Sequence, residues 1–226
     1  IALPWLLNSK TDLNVSAGPY AAFLGQAHDP IWTDFDGAGT KNAPRYTDGQ
    51  TKDYLDPFQE TSLGGKFSIS SLGQKVDGLS PERLRERREL LHRMELSPPR
   101  LFDKHHDLAF SLLMSGKTLN ALDLSREPQP LREKYGTTLF GQSCLAARRL
   151  VEAGSKFVTV FWDGFGQFAN CGWDTHNNHY PRLKNYLLPS FNQAYPTLIQ
   201  DLESRGMLDS TLVMWLSEHG RTPKID

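Results

Sequence analysis

The chain has few cysteines and no excess of charge of either sign. Its 226 residues include two cysteines, Cys144 and Cys171, which are too few for a disulfide framework or for a zinc site made of thiolates. These two side chains either pair with each other or are small buried residues. The 25 basic and 26 acidic residues nearly cancel, so no overall field draws the chain to nucleic acid or to an anionic membrane. Any anion-binding site must therefore be local.

Long apolar runs are also absent. No stretch approaches the roughly 20 apolar residues that a membrane-spanning helix needs, and the apolar opening from Ile1 to Leu7 is too short for the core of a signal peptide. Because the first residue is not Met, we expect that residues upstream of Ile1 have been removed or left out. Because 38% of the residues are hydrophobic, the chain can bury a sizeable core. We expect neither a membrane span nor a nucleic-acid partner, and the oligomeric state stays open.

Residues 1–79 and residues 80–226 differ in composition. The first segment is rich in Gly, Pro, Asp, Asn and Thr, which is typical of an extended, loop-rich segment that docks on a core. Within it, residues 67–72 alternate apolar and polar side chains like a brief strand. The second segment carries longer helical and strand patterns, so we expect it to form an α/β core.

The order of elements in the second segment predicts a βαβ unit. Helices are predicted from Ser80 to about residue 95, over about residues 102–114, and over about residues 139–153. Residues 156–162 and 211–216 are apolar, β-branched runs, typical of strands buried on both faces. The stretch between them, about residues 179–205, is predicted to be helical in two segments, because prolines interrupt it. A connection of this length joins parallel strands.

Polar side chains follow both predicted strands. These loops supply two pairs of acidic and imidazole side chains and one arginine: Asp174 with His176, Glu218 with His219, and Arg221. Because the carboxyl ends of parallel strands open on one edge of a sheet, we expect the two pairs to share a pocket. Carboxylate oxygen and imidazole nitrogen are ligands for zinc, manganese or, with more oxygen, calcium. The planar guanidinium of Arg221 suits an anionic ester.

A purely structural explanation of these residues stays open. Asp and Asn after a strand can cap the next helix, and a Glu-His pair can stabilise a turn through hydrogen bonds. Asp163 is either a third carboxylate or a turn residue before Gly164, and we favour the turn. His179 stands at a predicted helix start, which is more typical of a surface residue than of a ligand.

Several short motifs are similar to those of one known family. They are Arg132 to Gly136, Phe140-Gly141-Gln142, Ala147 to Gly154, Trp173-Asp174-Thr175-His176 and Gly220 to Lys224. With them the chain resembles the domain-of-unknown-function 1501 (DUF1501) family over nearly its whole length. That family is common in planctomycete-like bacteria, is often exported, and looks like a distant branch of the alkaline phosphatase and sulfatase superfamily. The resemblance implies an alkaline phosphatase/sulfatase-like α/β fold, mostly a parallel sheet flanked by helices, of which this chain is an incomplete fragment. It also implies a periplasmic or secreted location.

The resemblance further implies a metal-dependent hydrolase of phosphate or sulfate esters. By it, Asp174, His176, Glu218 and His219 occupy the superfamily's metal-ligand positions, although His219 departs from the Phe that most DUF1501 members carry there. The substrate would be a small anionic ester or a sulfated or phosphorylated glycan. No sulfatase-type Cys-x-Pro-Ser-Arg sequence is present, so the nucleophile is expected upstream of residue 1.

If these 226 residues are the whole molecule, we expect it to have little or no hydrolase activity. The alternative is a non-catalytic binding or structural member of the same fold that holds a polysaccharide or a partner. The long loop-rich first segment favours this alternative, since such segments commonly dock on other molecules.

Overall fold

The computed structural model describes the helical core and parts of the first segment. The described residues are 1–3, 22–24, 30–40, 42–47, 50–55, 60–69, 83, 86, 89, 90, 93, 116–162, 173 and 179–216. The helix predicted over about residues 102–114 lies outside them.

The strands in the described part of the chain form three two-stranded pairs. Strand β1 (Ala2–Leu3) is parallel to β6 (Thr159–Val160), β2 (Thr33–Asp36) is antiparallel to β5 (Lys66–Ile69), and β3 (Asn42–Thr47) is antiparallel to β4 (Gln50–Leu55). A parallel bridge between Ala2 and Trp32 joins the first pair to the second. Strand β5 confirms the short strand predicted near Phe67.

The helices lie mainly in the second half of the chain. They are α1 (Lys117–Leu122), α2 (Gln129–Lys134), α3 (Leu139–Glu152), α4 (His179–Arg182) and α5 (Leu188–Ser204), with a π-helical segment at Leu183–Leu187 and 3₁₀ turns at Ala22–Leu24, Leu124–Arg126 and Leu208–Ser210. The described residues of the predicted Ser80 helix are helical and exposed. They include Leu90, which is 56% exposed although the sequence places it on the apolar face.

Helix α3 has clear start and stop signals, and the structure confirms its predicted span. The Thr138 hydroxyl accepts a hydrogen bond from the Gly141 backbone N–H at 3.0 Å, which satisfies one of the unpaired donors of the first turn. At the other end Gly154 has φ of 104°, and the Ser155 N–H donates to the Leu150 carbonyl at 2.9 Å. This is the Schellman arrangement, which a glycine adopts without steric cost.

The helix predicted from His179 is present, and the prolines shape it. Pro189 has no N–H to donate to the fourth preceding carbonyl, and the chain just before it is π-helical, with the Leu188 N–H bonded to the Leu183 carbonyl. Pro196 lies inside α5 without ending it. The predicted interruption therefore occurs once, as a π segment, rather than as a break at each proline.

The core surrounds α3, which is buried on most of its faces. Its fully buried Leu139, Leu145 and Leu150 belong to one apolar cluster that also contains Leu3 of β1 and Phe67 of β5. Residues from the loop-rich first segment thus pack into the same core as the helices. The boundary at residue 79 stays a prediction.

The prediction of two buried strands is wrong for most of their residues. In the run 156–162, the strand is limited to Thr159–Val160 and the Phe157 side chain is 78% exposed. The run 211–216 forms no strand with any described residue, and Leu212 is 83% exposed. Apolar, β-branched composition makes a strand favourable but does not supply a ladder partner. The part of the fold that the structure describes is therefore mixed α/β with a small parallel pair.

Within the described ranges, no helix has both the length and the apolar character needed to cross a membrane.

Candidate functional site

The predicted site residues themselves lie outside the described residues, but their neighbours in the chain do not. Outside are Asp163, Cys171, Asp174, His176, Glu218, His219 and Arg221. Described are Trp162, Trp173 and Trp215. Trp162 directly precedes Asp163, Trp173 directly precedes Asp174, and Trp215 stands three positions before Glu218.

These three tryptophans meet in one group of rings, the aromatic cluster. Its members are Phe140, Trp162, Trp173, Phe191, Tyr195 and Trp215. Ring centroids are 5.4 Å apart for Trp162 and Trp173 and 5.8 Å apart for Trp173 and Trp215. Both pairs are edge-on, an arrangement that the ring quadrupoles favour.

Phe191 of α5 is the centre of the aromatic cluster. Its ring centroid lies 5.2 Å from that of Trp215, 5.8 Å from that of Trp173 and 5.1 Å from that of Tyr195. Phe140, in the first turn of α3, stacks on Phe191 at 6.2 Å and lies 4.6 Å from Trp162. The amino-terminal turns of α3 and α5 therefore meet the residue that leaves β6 at its carboxyl end.

This geometry follows from the topology. A helix that precedes or follows a parallel strand runs antiparallel to it, so helix starts gather at the strand ends where sites usually form. Trp162 follows β6 by two residues, and the Phe161 N–H is bonded to the Leu3 carbonyl at 2.8 Å, so the parallel pairing continues to this edge. The aromatic cluster is half-buried as a whole, and Trp215 is 55% exposed.

A polar cluster, which we call the charged network, lies at the carboxyl-terminal ends of α3 and α5. It contains three arginines and three carboxylates, so its formal charges balance: Arg148, Arg149, Arg205, Glu127, Glu152 and Asp201. Sequence reasoning assigned no role to its acidic members. The signal that could have found it is Arg148, a charged residue on an otherwise apolar part of α3.

Arg148 is the centre of the charged network, and its side chain is fully buried. Its Nη1 atom donates a hydrogen bond to Glu152 at 2.7 Å, and its Nε and Nη2 atoms form ion pairs with Asp201 and Glu127, each at 2.9 Å. The Tyr135 hydroxyl donates to the Asp201 carboxylate at 2.8 Å. The charge of this buried guanidinium is thus balanced by three anionic neighbours.

Two carboxylates of this network, Asp201 and Glu127, stay ionised because of their arginines. Burial by itself raises the pKa of Asp201, but the Arg205 hydrogen bond, the Tyr135 hydrogen bond and the Arg148 charge outweigh it and hold that pKa below its ordinary value. For Glu127, burial again raises the pKa, and Arg148 and Arg149 bring it below the ordinary value. The network is thus a set of fixed charges at neutral pH, which is a structural role rather than that of a general acid or base.

Cys144 is a buried free thiol in α3. Burial raises the pKa of this thiol to about 12, so the nucleophilic thiolate is scarce near neutral pH. The side chain is a small apolar core residue, whereas Cys171, its predicted alternative partner, lies outside the described residues.

No three His, Cys, Asp or Glu side chains come together as a metal site among the residues described. His179, which the sequence placed at a helix start, is the first residue of α4. Its ring lies edge-on to that of Tyr180, with centroids 5.4 Å apart.

Comparison with known proteins gives one match, to the family model described as protein of unknown function (DUF1501), over residues 14–226. The chain belongs to the DUF1501 family. No curated protein and no solved structure matches it.

Two of the short motifs, Arg132 to Gly136 and Phe140-Gly141-Gln142, stabilise the junction of α2 and α3. The Arg132 guanidinium donates to the Leu63 carbonyl, which attaches α2 to the first segment. The Gln142 amide donates to the Arg132 and Gly136 carbonyls at 2.9 and 2.8 Å. A side chain at Gly141 would overlap the Tyr135 carbonyl oxygen, so α3 approaches α2 this closely because residue 141 has no Cβ.

Two DUF1501 motifs therefore stabilise one junction of the fold. The Arg132 to Gly136 motif and the Phe140-Gly141-Gln142 motif fix α2 against α3, and the latter also places Phe140 in the aromatic cluster. The Trp173-Asp174-Thr175-His176 motif contributes Trp173 to that same cluster. These three motifs thus connect the junction of α2 and α3 with the edge where the site residues are predicted.

Proposed function

We propose that the protein containing this chain is a metal-dependent hydrolase of phosphate or sulfate esters, with a fold of the alkaline phosphatase and sulfatase type. The observation that supports it is the meeting of Trp162, Trp173 and Trp215 in the aromatic cluster. Trp162 and Trp173 lie in the segment that follows β6 and leads to Asp174, and Trp215 lies three residues before Glu218.

Chain connectivity extends this observation toward the site. Consecutive Cα atoms are about 3.8 Å apart, and Asp174 is bonded to Trp173, whereas Glu218 is three residues from Trp215. The rings of Trp173 and Trp215 are 5.8 Å apart, so the residues that lead into the two loops are close to each other. This supports a pocket shared by the Asp174-His176 pair and the Glu218-His219 pair.

The donor set suits a divalent metal ion. Two carboxylates and two imidazoles, from Asp174, His176, Glu218 and His219, fit zinc or manganese, and calcium if further oxygen ligands join them. A bound ion would polarise the ester and lower the pKa of a bound water or alcohol. Arg221 would hold the anionic oxygens of the ester through its planar fork.

The aromatic cluster supplies a suitable surrounding for such a site. An apolar shell beside metal ligands controls the access of solvent and the local dielectric. The edge at the carboxyl ends of parallel strands is where α/β proteins usually bind ligands. A periplasmic or secreted location is proposed with the function and rests on the family resemblance.

The experiment uses the full-length protein that contains this chain. Its metal content is measured by inductively coupled plasma mass spectrometry, and its activity on 4-nitrophenyl phosphate, 4-nitrophenyl sulfate and a panel of sugar esters. We expect Asp174→Ala and Glu218→Ala to lose metal and to lower kcat/KM at least about a hundredfold, with unchanged circular dichroism. The control is Glu203→Ala, which removes an exposed carboxylate at the end of α5.

A protein that contains no metal and cleaves no ester would contradict the proposal. Retention of ligand binding in both alanine variants of such an inert protein would favour the non-catalytic member of the same fold, to which the half-exposed aromatic cluster is equally suited. Loss of activity in the Glu203 variant as well would show that the effect is not specific to the predicted ligands.

A further inference from the structure

Three strands in the described part of the chain run in the same direction, so their carboxyl ends lie at one edge. Strand β1 is parallel to β6, and a parallel bridge between Ala2 and Trp32 extends this direction to β2. The chain that leaves β2 after Asp36 therefore emerges at the same edge as Trp162, which follows β6. This is the edge where the site residues are predicted.

The chain between β2 and β5, residues 37–65, forms an antiparallel ribbon at this edge, which we call the ribbon. Just beyond the pair of β2 and β5, Gly39 bridges Thr61, and the Thr40 N–H donates to the Glu60 carbonyl at 3.0 Å. Strands β3 and β4 continue it with six residues each, which corresponds to a length of roughly 20 Å. Among the described residues they form a sheet only with each other. The ribbon thus extends beyond β2 and β5 as a separate ladder.

The base of the ribbon is fixed by an aromatic ring. The Phe35 ring occupies the space that side chains at Gly37 and Gly65 would fill, since a Cβ atom at either position would overlap it. The same ring packs against that of the buried Phe67, with centroids 5.0 Å apart. Because a close-packed ring resists displacement, the two sides of the ribbon have little freedom to bend at these glycines.

The returning side of the ribbon is attached to the start of α3. The Thr61 N–H and the Thr61 hydroxyl both donate to the Thr137 carbonyl, the hydroxyl at 3.0 Å. The Arg132 guanidinium donates to the Leu63 carbonyl. Thr137 stands three residues before Phe140, which belongs to the aromatic cluster. The ribbon is therefore anchored beside this cluster, and its base cannot leave the edge without breaking these hydrogen bonds.

We propose that the ribbon is a fixed wall of the predicted site and limits the size of the esters that reach it. This inference rests on the proposed function, because it concerns which substrates the same edge accepts. A neighbouring element discriminates by steric overlap only when it cannot give way. The ribbon is held by the Phe35 ring at its base and by Thr137 at the start of α3. Small esters pass this wall, whereas esters with a bulky alcohol part collide with it.

The first test shortens the ribbon in the full-length protein. A Gly-Ser pair replaces residues 42–55, which removes β3 and β4 and keeps the anchored base. The substrates are the 4-nitrophenyl and fluorescein esters of phosphate and sulfate, because both release an acidic phenol and differ in its size. We expect the ratio of kcat/KM for the fluorescein ester to that for the 4-nitrophenyl ester to rise at least about tenfold. Circular dichroism checks that the shortened protein is folded.

The second test displaces the ribbon without shortening it. Gly65→Ala places a methyl group where the Phe35 ring lies, whereas a Cβ atom at Gly64 would meet only a hydroxyl oxygen, at 3.3 Å. Gly64→Ala is therefore the matched control. Hydroxyl-radical footprinting, which needs no substrate, measures the accessibility of Phe140. We expect Gly65→Ala to raise the modification rate of Phe140 severalfold and Gly64→Ala to leave it unchanged, with the exposed Phe157 at the opposite edge as internal reference.

The outcomes separate this inference from the proposed function. Cleavage of both esters with no change in their ratio after shortening overturns the wall and keeps the hydrolase. A lower ratio also overturns the wall, because the ribbon would then bind the bulky ester instead of excluding it.

The footprint decides where the esters give no answer. If neither the wild type nor the shortened protein cleaves any ester, the hydrolase is overturned. Equal Phe140 rates in Gly65→Ala and Gly64→Ala then overturn the wall as well, and a higher rate in Gly65→Ala keeps it. If the shortened protein does not fold, the same two alanine variants decide, through the footprint and through the ratio of the two esters.

Discussion

Helices α3 and α5 contact each other through charged side chains at one end and through aromatic rings at the other. At one end Arg148 of α3 meets Asp201 of α5 through a buried ion pair, and at the other Phe140 stacks on Phe191. The charged network is balanced and built around the fully buried Arg148, whereas the aromatic cluster is half-exposed and includes Trp215. We call the first the closed end and the second the open end. The ion pairs of the closed end hold α3 against α5 at the end opposite to the predicted site.

Removal of the central arginine should break the closed end with the largest effect. Arg148→Met leaves Asp201 and Glu127 buried without their shared cation, and breaking a buried ion pair in this way costs about 3–5 kcal/mol. Urea unfolding followed by far-ultraviolet circular dichroism measures the free energy of unfolding. The control, Arg126→Met, removes an exposed partner of Asp123 and should cost less than about 1 kcal/mol. Equal effects of the two substitutions would contradict the assignment of Arg148 as the centre of the network.

A milder change should perturb the open end while leaving the closed end intact. Phe191→Leu keeps an apolar side chain in α5 but removes the ring that contacts Trp173, Trp215 and Tyr195. We expect a loss of about 1–2 kcal/mol and a change in the near-ultraviolet circular dichroism of the tryptophans. Phe157→Leu, at an exposed ring, should alter stability by less than about 0.5 kcal/mol. An unchanged tryptophan spectrum in the Phe191 variant would show that the rings do not depend on one another.

A fall in pH should give the smallest effect of the three, and it should lower the free energy of unfolding through the charged network only. The pKa values of Asp201 and Glu127 are lower in the folded protein than their ordinary values, so the unfolded chain binds more protons in acid. Their contribution to stability is therefore complete above the ordinary carboxyl pKa of about 4 and is lost as the pH falls through the lower folded values. Urea midpoints between pH 7 and pH 3 measure this loss.

The matched variant for the acid experiment is Asp201→Asn. It lacks one of the two titrating carboxylates and should show a shallower decline in acid than the wild type, while Phe191→Leu should decline in parallel with the wild type. A wild-type midpoint that stays constant down to pH 3 would mean that the carboxylates of the charged network do not stabilise the fold.

Local signals predicted the helices better than the sheet. The Thr138 cap and Gly154 fixed the ends of α3, because capping depends on residues that are neighbours in the chain. The run 211–216 has the composition of a buried strand, yet burial and ladder pairing depend on distant segments, and none of the described residues pairs with it. The partner of β6 is likewise β1, from residues 2–3, a pairing that no local pattern could indicate.

In the candidate site, too, local sequence selected residues but did not predict their contacts. Composition after the predicted strands selected Asp174, His176, Glu218, His219 and Arg221 as site residues, and their arrangement stays a prediction. The tryptophans that precede them were read from the sequence only as parts of motifs or strands. Their meeting depends on tertiary contacts, because Trp173 and Trp215 come from two distant segments that both pack on Phe191. The charged network was missed for a similar reason, because Glu127, Arg148 and Asp201 come from three separate elements.

The π-helical turn at Leu183–Leu187 sets the rotation of α4 about its axis relative to α5. An α-helix rotates by about 100° for each residue, so one residue more or fewer before Leu188 would rotate α4 about its axis by that amount relative to α5. Phe191 and Asp201 would keep their neighbours, whereas His179 and the chain that enters α4 would face another direction. Such turns are frequent at functional positions. A change in length of a single residue here could thus re-aim the approach to the predicted pocket without loosening the rest of the fold.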